Sequence, residues 1–309
     1  MVKIIIRVVL CVGLFSLAGW FCRKQTDGFT ILKISSDLSY QDQWERSSPS
    51  RFEILKMFQS PFFYLARGEQ CYVFVSQDKQ YVLKFFRHNH MRPSPWVHFL
   101  PQEKRDQVVL KKRALLEEDF RSYCLAYDEL KEETGLLYLH LNKTQDLRIQ
   151  ATIVDKLGIA HVLDLDGMEF LVQRCAEPLY SALEKKICLG KLEEAKSTIT
   201  QLVHLLMKTR YEMGIIDTDP DLNINYGCIG STPIQIDMGR LKKNPVRQAP
   251  TIYQQEIAHI TDNLHQWLDQ HSQELDRHLQ LEIEQLSQWG HNRPLSKLDS
   301  DEPLISKEV

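Results

Sequence analysis

The sequence predicts an α+β fold, strand-rich in its first half and helical in its second, behind an apolar N-terminal segment. Three observations carry this. Short β-rich runs bounded by turn residues crowd the stretch between Cys71 and Arg174. Apolar periodicity of helical type takes over from Lys191. No internal repeat breaks the order, so strands and helices segregate along the chain.

The first element is an apolar run from Val8 to Cys22, preceded by Lys3 and Arg7 and closed by Arg23 and Lys24. With Ile4–Ile6 included and Arg7 snorkelling, the run reaches membrane-spanning length. It reads as an N-terminal membrane anchor over residues 1–24, with a cleaved signal peptide as the alternative. Basic residues flank both ends, so its orientation stays open. Residues 25–50 are polar, end in Ser47-Ser48-Pro49-Ser50, and read as a linker.

Globular composition begins near Arg51. Cys71–Val75 and Tyr81–Phe86 flank Ser76-Gln77-Asp78-Lys79-Gln80, a hairpin pattern. Three prolines, Pro93, Pro95 and Pro101, make the stretch from His88 to Pro101 a loop. Val109, Leu116, Phe120, Tyr123, Tyr127 and Leu130 then share one face of a helix over 107–130. Gln150–Val154 suits a strand. Ile159–Leu165 and Met168–Arg174 surround Asp166-Gly167, which predicts a second hairpin. In the second half, Leu192, Ala195, Ile199, Leu202 and Leu206 mark a helix over 191–213. Pro233–Asp237 is a short apolar strand. Tyr253–Trp267 and Leu275–Leu286 mark two more helices, and 291–309 is a polar tail.

The 309 residues are 43% hydrophobic and 26% charged, which excludes a disordered or collagen-like chain. With 38 basic and 41 acidic residues spread along its length, the chain shows no concentrated basic face, and no nucleic-acid partner is expected. Seven cysteines without a CxxC pair argue for free, buried thiols rather than a disulfide framework or zinc site. His88-Asn89-His90 and the Asn142-Lys143-Thr144 sequon carry no supporting pattern. Trp267 and Trp289 read as core.

Three segments hold residues suited to chemistry. Lys84 interrupts the apolar run Tyr81–Phe86, where its ammonium either meets phosphate oxygens and a partner carboxylate or simply faces outward from a half-exposed strand. Upstream, the turn around Gly68 in Leu65–Phe74 is placed to cover a nucleotide, with a single glycine. Second, Asp217-Thr218-Asp219-Pro220-Asp221-Leu222-Asn223-Ile224-Asn225 concentrates carboxylates and carboxamides after a helix. Such oxygen-rich loops suit Mg²⁺ or a hydroxyl proton, or are solvated turns. Third, Asp237 ends an apolar strand just before Met238-Gly239, as a metal ligand or as a turn residue.

In this order the three segments resemble the protein-kinase-like superfamily over roughly residues 51–290. Lys84 resembles the strand lysine, Asp217–Asn225 the catalytic loop, and Asp237-Met238-Gly239 the Asp-Phe-Gly metal motif. The resemblance implies a two-lobed fold, an N-lobe at 51–176 and a helical C-lobe at 177–290, with a hinge at Arg174-Cys175-Ala176-Glu177. It also implies ATP between the lobes, Mg²⁺ on Asn225 and Asp237, and phosphoryl transfer to a hydroxyl acceptor. By the same resemblance Asp219 is the catalytic base, Glu117 the acid partner of Lys84, and Gly68, Lys84 and Glu177 bind the nucleotide. The loop departs from the family spacing: Asp219 lies six residues before Asn225 where five is usual, and Ile215-Ile216 stand where His or Tyr is usual. Those departures and the glycine-poor turn keep a second reading open, a catalytically inactive, membrane-anchored binding or scaffold protein. The acceptor is not specified; the lack of a recognisable activation-segment ending leans toward a small molecule.

Overall fold

The computed structural model describes residues 2–88, 92–244 and 248–289. The 291–309 tail and most of the His88–His90 pair lie outside them. The architecture is mixed α and β: a seven-stranded sheet, a helical region, and the apolar N-terminal helix α1 (Val2–Gln25). Within α1, Ile5–Gln25 is long and apolar enough to cross a membrane, by length and composition. The chain divides into two compact units, one holding the residues up to Cys175 together with Met238–Leu241, the other Ala176–Asp237 and the chain from Lys242.

In the first unit the sheet contains β1 (Phe62–Arg67), β2 (Cys71–Ser76), β3 (Tyr81–Phe86), β4 (Leu136–His140), β5 (Gln150–Val154), β6 (Ala160–Asp164) and β7 (Phe170–Arg174). Their order across the sheet is β4-β7-β3-β2-β1-β5-β6. One face buries Phe62, Tyr72, Phe74, Leu83, Phe85, Ile153, Phe170 and Val172. That face is covered by α2 (Arg51–Met57) through Ile54 and Met57, and by Phe29 and Ile34. Residues 25–50 are therefore not a free linker. Phe29, Ile34 and Trp44 are buried, and burying three large apolar side chains outweighs the polar composition around them. The other face meets helix α3 (Gln102–Glu129): the Phe86 ring lies 5.1 Å from Phe120 and 5.0 Å from Tyr123.

The hairpin expected at Asp166-Gly167 does not form. β6 pairs with β5, whereas β7 pairs with β3 and β4 at the other side of the sheet. Asp166 is instead the anchor of a crossing loop. Its carboxylate accepts from Thr144 Oγ1 (2.6 Å) and from the backbone N–H of Leu147 (3.0 Å) and Arg148 (2.7 Å). The Asn142 sequon is buried: its side chain accepts from Gln41 N–H and donates to the Gln41 carbonyl and to Glu45. Every cysteine among the described residues is a free thiol; Cys71, Cys124 and Cys228 are buried, while Cys11, Cys22 and Cys188 are exposed.

The second unit is built on α4 (Leu179–Cys188), α5 (Leu192–Met207), α6 (Pro250–Ile260), α7 (Asp262–His271) and α8 (Gln273–Gln285). Leu183, Ile199, Leu202, Leu206, Ile257, Leu264, Leu268, Leu275 and Leu279 form its core. Trp267 and Trp289 pack against this core from partly buried positions. The helix expected across Tyr253–Trp267 breaks at Thr261, whose hydroxyl bonds back to the Ile257 and Ala258 carbonyls and competes with helix continuation. A small sheet, β11 (Thr232–Gln235), β10 (Tyr226–Ile229) and β8 (Glu177–Pro178), lies beside β9 (Ile215–Asp217) in sequence. Helix α5 ends in a π-turn, Lys208–Glu212, that carries Arg210 into the interior.

Candidate functional site

The expected site residues fall in both units, so each half is described by itself.

In the second unit, the acidic loop and the strand-end aspartate are joined by one residue. Asn225 is buried, and its Nδ2 donates to the Asp219 carbonyl (2.6 Å). Its own carbonyl accepts from the N–H groups of Ile236 (2.7 Å) and Asp237 (3.3 Å). This works because Tyr226 pairs with Gln235, so the residues just outside the β10–β11 hairpin, Asn225 and Ile236, are brought alongside. Asp219 and Asp237 both reach solvent. Beneath them lies Asp217, at the end of β9. Its Oδ1 accepts from Asp219 N–H (2.9 Å) and its Oδ2 from Gln235 Nε2 (2.7 Å), while the same Nε2 donates to the Asp237 carbonyl (3.0 Å). Burial pushes the Asp217 carboxyl up to about 6, with the negative charges of Asp237 and Asp219 acting in the same direction and Arg210 opposing them.

Arg210 is fully buried in the π-turn. Its Nε meets Glu256 Oε1 at 2.9 Å, and Nη1 donates to the Leu206 carbonyl at 3.4 Å. Burial raises the Tyr226 hydroxyl to about 12, with the nearby Arg210 charge opposing the shift. Glu177 lies in β8, paired with Cys228, with its carboxylate 3.9 Å from Lys185 Nζ. The Glu177 carbonyl sits so close to Gly227 that a Cβ there would lie 2.8 Å from it, which explains glycine at that position.

In the first unit, Lys84 is buried in β3, in register with Val73 of β2 and Leu171 of β7. It shares its sheet face with Phe86, the face that α3 covers. Glu117 does not take up the position expected of it. Its carboxylate lies between Arg113 (3.4 Å) and Arg121 (3.3 Å), one turn to either side on α3. The buried acid of that helix is Asp119, which accepts from Gln70 Nε2 at 2.9 Å and has Arg240 Nη1 at 3.7 Å. Gln70 also donates to the Gly239 carbonyl (3.1 Å) and accepts from Tyr123 Oη (3.1 Å). Ser122 Oγ donates to the Met238 carbonyl and accepts from Leu241 N–H, so Met238–Leu241 is stitched to α3. A Cβ on Gly239 would overlap the Gln70 amide at 1.7 Å.

The Gly68 turn is closed on itself. Gly68 N–H donates to the Cys71 carbonyl (2.9 Å), and the Gly68 and Glu69 carbonyls both accept from Arg87 Nη1. A Cβ at Gly68 would meet nothing closer than 3.5 Å, so neither space nor backbone conformation demands glycine there. Among the described residues no group of three or more His, Cys, Asp or Glu forms a metal-binding cluster.

Sequence reasoning missed Asp217 as the buried member of the loop, and it missed Arg210, Gln70, Asp119 and Ser122. For Asp217 a signal existed: it ends Ile215-Ile216, a strand pattern leading inward. For the others none did, because their partners lie tens to more than a hundred residues away in the chain.

No protein-family model matches this chain, and no curated protein matches it. Among solved structures it is similar to WbdD at 12% identity and a TM-score of 0.35, over 73% of this chain and 46% of that one. A second structure, described as the bifunctional kinase-methyltransferase WbdD, is 14% identical with a TM-score of 0.35, over 71% and 43%. Rv3197 from Mycobacterium tuberculosis, in complex with erythromycin, is 10% identical with a TM-score of 0.34, over 85% and 75%. The chain spans less than half the length of the WbdD chains.

Proposed function

We propose that this chain is an ATP- and Mg²⁺-dependent phosphotransferase of kinase-like fold, held at a membrane by α1. The observation that carries the reading is the Asn225 bridge, which fixes Asp219 and Asp237 through a single residue. The Asp237 carboxylate and the Asn225 side-chain oxygen are hard donors, and Mg²⁺ takes one or two protein ligands of this kind with water and phosphate oxygens for the rest. Asp219 is solvent-exposed and free to accept a proton from an acceptor hydroxyl. Lys84 supplies a cation for phosphate oxygens, and Glu177 lies where the family places its hinge. The Gly68 turn does not fit a phosphate cradle, since Arg87 and Cys71 already use its polar groups. Glu117 would have to leave Arg113 and Arg121 to reach Lys84.

Those two observations favour a second reading, a kinase-like binding or scaffold protein without turnover. A thermal-shift titration of the full chain with Mg²⁺-ATP, beside Lys84→Ala and Asp237→Ala, tests both. Ligand at 100 times its dissociation constant adds about 2.7 kcal/mol to stability. A shift lost in both variants, together with nucleotide hydrolysis or transfer, supports the first reading. A shift without turnover leaves the second. No shift in any of three folded proteins removes the first reading and leaves an anchored scaffold whose partner a pull-down must find.

A further inference from the structure

Helix α1 does not end in a flexible tether. Two residues beyond Gln25, Asp27 is fixed to the sheet of the first unit. Its carboxylate accepts from Tyr64 Oη (2.9 Å) and Lys156 Nζ (2.8 Å), and its carbonyl accepts from Arg67 Nη1 (3.0 Å). The next residue is held too, with Tyr72 Oη donating to the Gly28 carbonyl (2.9 Å), and Phe29 then enters the core. Two residues reach at most about 7 Å. If α1 lies in a bilayer, the edge of the sheet that grips Asp27 lies at the headgroup layer.

That edge is built for such a surface. Lys156 belongs to the turn between β5 and β6, and the same turn holds Leu157 and Ile159 out to solvent at 55% and 52% exposure, with Val162 of β6 at 65%. The turn is rigid: Asp155 accepts from the N–H groups of Leu157 (2.9 Å) and Ile159 (3.0 Å) and from His161 Nε2 (2.9 Å). Exposed Phe63 and Leu65 on β1 extend the apolar surface, since β1 is the neighbour of β5. Trp20 and Phe21, near the end of α1, are exposed aromatic residues of the kind that settle at membrane–water interfaces, and Lys24 lies over the Trp20 ring. Arg23, Lys24, Arg67 and Lys156 put four cations around the point where the helix meets the sheet.

We propose that the β5–β6 turn seats in the headgroup layer of the bilayer that α1 enters, with Leu157, Ile159 and Val162 among the upper acyl chains and these cations against lipid phosphates. The domain would then ride on the membrane in a fixed pose. This rests on α1 being a retained membrane anchor.

The test uses the full chain in vesicles of phosphatidylcholine and phosphatidylglycerol, with p-benzoylphenylalanine replacing Ile159, and separately replacing Phe52 as a control. Phe52 is exposed on α2, whose Arg51 bonds to the Leu147 and Arg148 carbonyls just before the opposite end of β5. Flotation and lipid adducts after illumination are measured together. The expected result is co-flotation with at least about fivefold more phospholipid adduct at 159 than at 52. Co-flotation with no lipid adduct at 159, or with a protein or second-copy adduct there, overturns the docking surface while the anchor stands. Failure to float overturns the anchor and the proposal with it.

Discussion

The two sets of candidate residues, one in each unit, differ in how they are held. In the second unit, Asp217, Asp219, Asn225, Gln235 and Asp237 come from one short stretch of chain and are connected by hydrogen bonds to one another. In the first unit, Gly68, Lys84 and Glu117 sit on a turn, a strand and a helix, and the polar groups of Gly68 and Glu117 are engaged elsewhere, with Cys71 and Arg87 and with two arginines. A hairpin delivers its flanking residues to each other by register alone. A strand lysine and a helix acid meet only if the helix lands in the right rotation, and that depends on long-range packing. Residues carried on one short stretch of chain are joined by local backbone register, whereas residues on a turn, a strand and a helix meet only through long-range packing.

The sharpest way to use this contrast is through Asp237. Asp237→Ala removes an exposed carboxylate, so phosphoryl transfer or nucleotide hydrolysis should fall by about 100-fold or more while the unfolding midpoint barely moves. An equal loss of stability would mean the carboxylate is structural. Next in size is Arg210→Met. It strips the buried counter-charge from Asp217 and breaks the pair with Glu256, and should cost about 3 kcal/mol in urea unfolding; the figure stays at the low end because Glu256 reaches solvent. A loss below about 1 kcal/mol would show that the guanidinium contributes little to holding the loop.

The pH dependence follows from Asp217. Folded, it keeps its proton up to about pH 6; unfolded, it loses it near the usual 3.8. Between those values the unfolded chain binds fewer protons, so this group makes stability fall as pH rises, by a total on the order of 3 kcal/mol, and the effect is complete above about pH 6. Carboxylates held low, such as Asp155 and Asp166, bend the curve the other way at more acidic pH. The quantity to measure is therefore the difference between wild type and Asp217→Asn from pH 4 to 7 in EDTA. A difference that does not change with pH would show that Asp217 titrates normally.

In the first unit, Gly239→Ala should cost about 1–3 kcal/mol, because the new methyl group must displace the Gln70 amide and with it the bonds to Asp119 and Tyr123. Thermal unfolding of the full chain measures this, and a neutral result would mean that Gln70 moves aside freely. The smallest effect belongs to Glu117→Gln. Its two partners are exposed arginines on the same helix, so stability should change by no more than about 0.5 kcal/mol and catalysis hardly at all. A catalytic loss matching that of Lys84→Ala would restore the role that the family resemblance gave it.

Much of the fold was legible in the residues. The β2–β3 hairpin, the helix carrying Phe120, Tyr123 and Tyr127, strand β5 and the Leu192–Leu206 stripe all follow from local periodicity and turn residues. Strand β4 was not legible, because Leu136–His140 is a short apolar run with no alternation to distinguish it from a buried helix. Asp166-Gly167 misled for a physical reason: its carboxylate satisfies three groups of the 144–148 loop, which local turn statistics cannot include. The segment 25–50 misled because its few apolar residues, Phe29, Ile34 and Trp44, are spaced without periodicity yet all find core positions.

Local signals in the chain settle the apolar length of α1, the amphipathic stripes, and the cluster of oxygen-bearing side chains between Asp217 and Asp237. Packing of the whole chain sets which carboxylate of that cluster is buried, which acid of α3 turns inward, and that Asp27, just past α1, is fastened to the sheet. Spacing and periodicity act over a few residues and are written in the chain. Burial, charge pairing and strand order arise between residues far apart in sequence, and they are settled only when the whole chain packs.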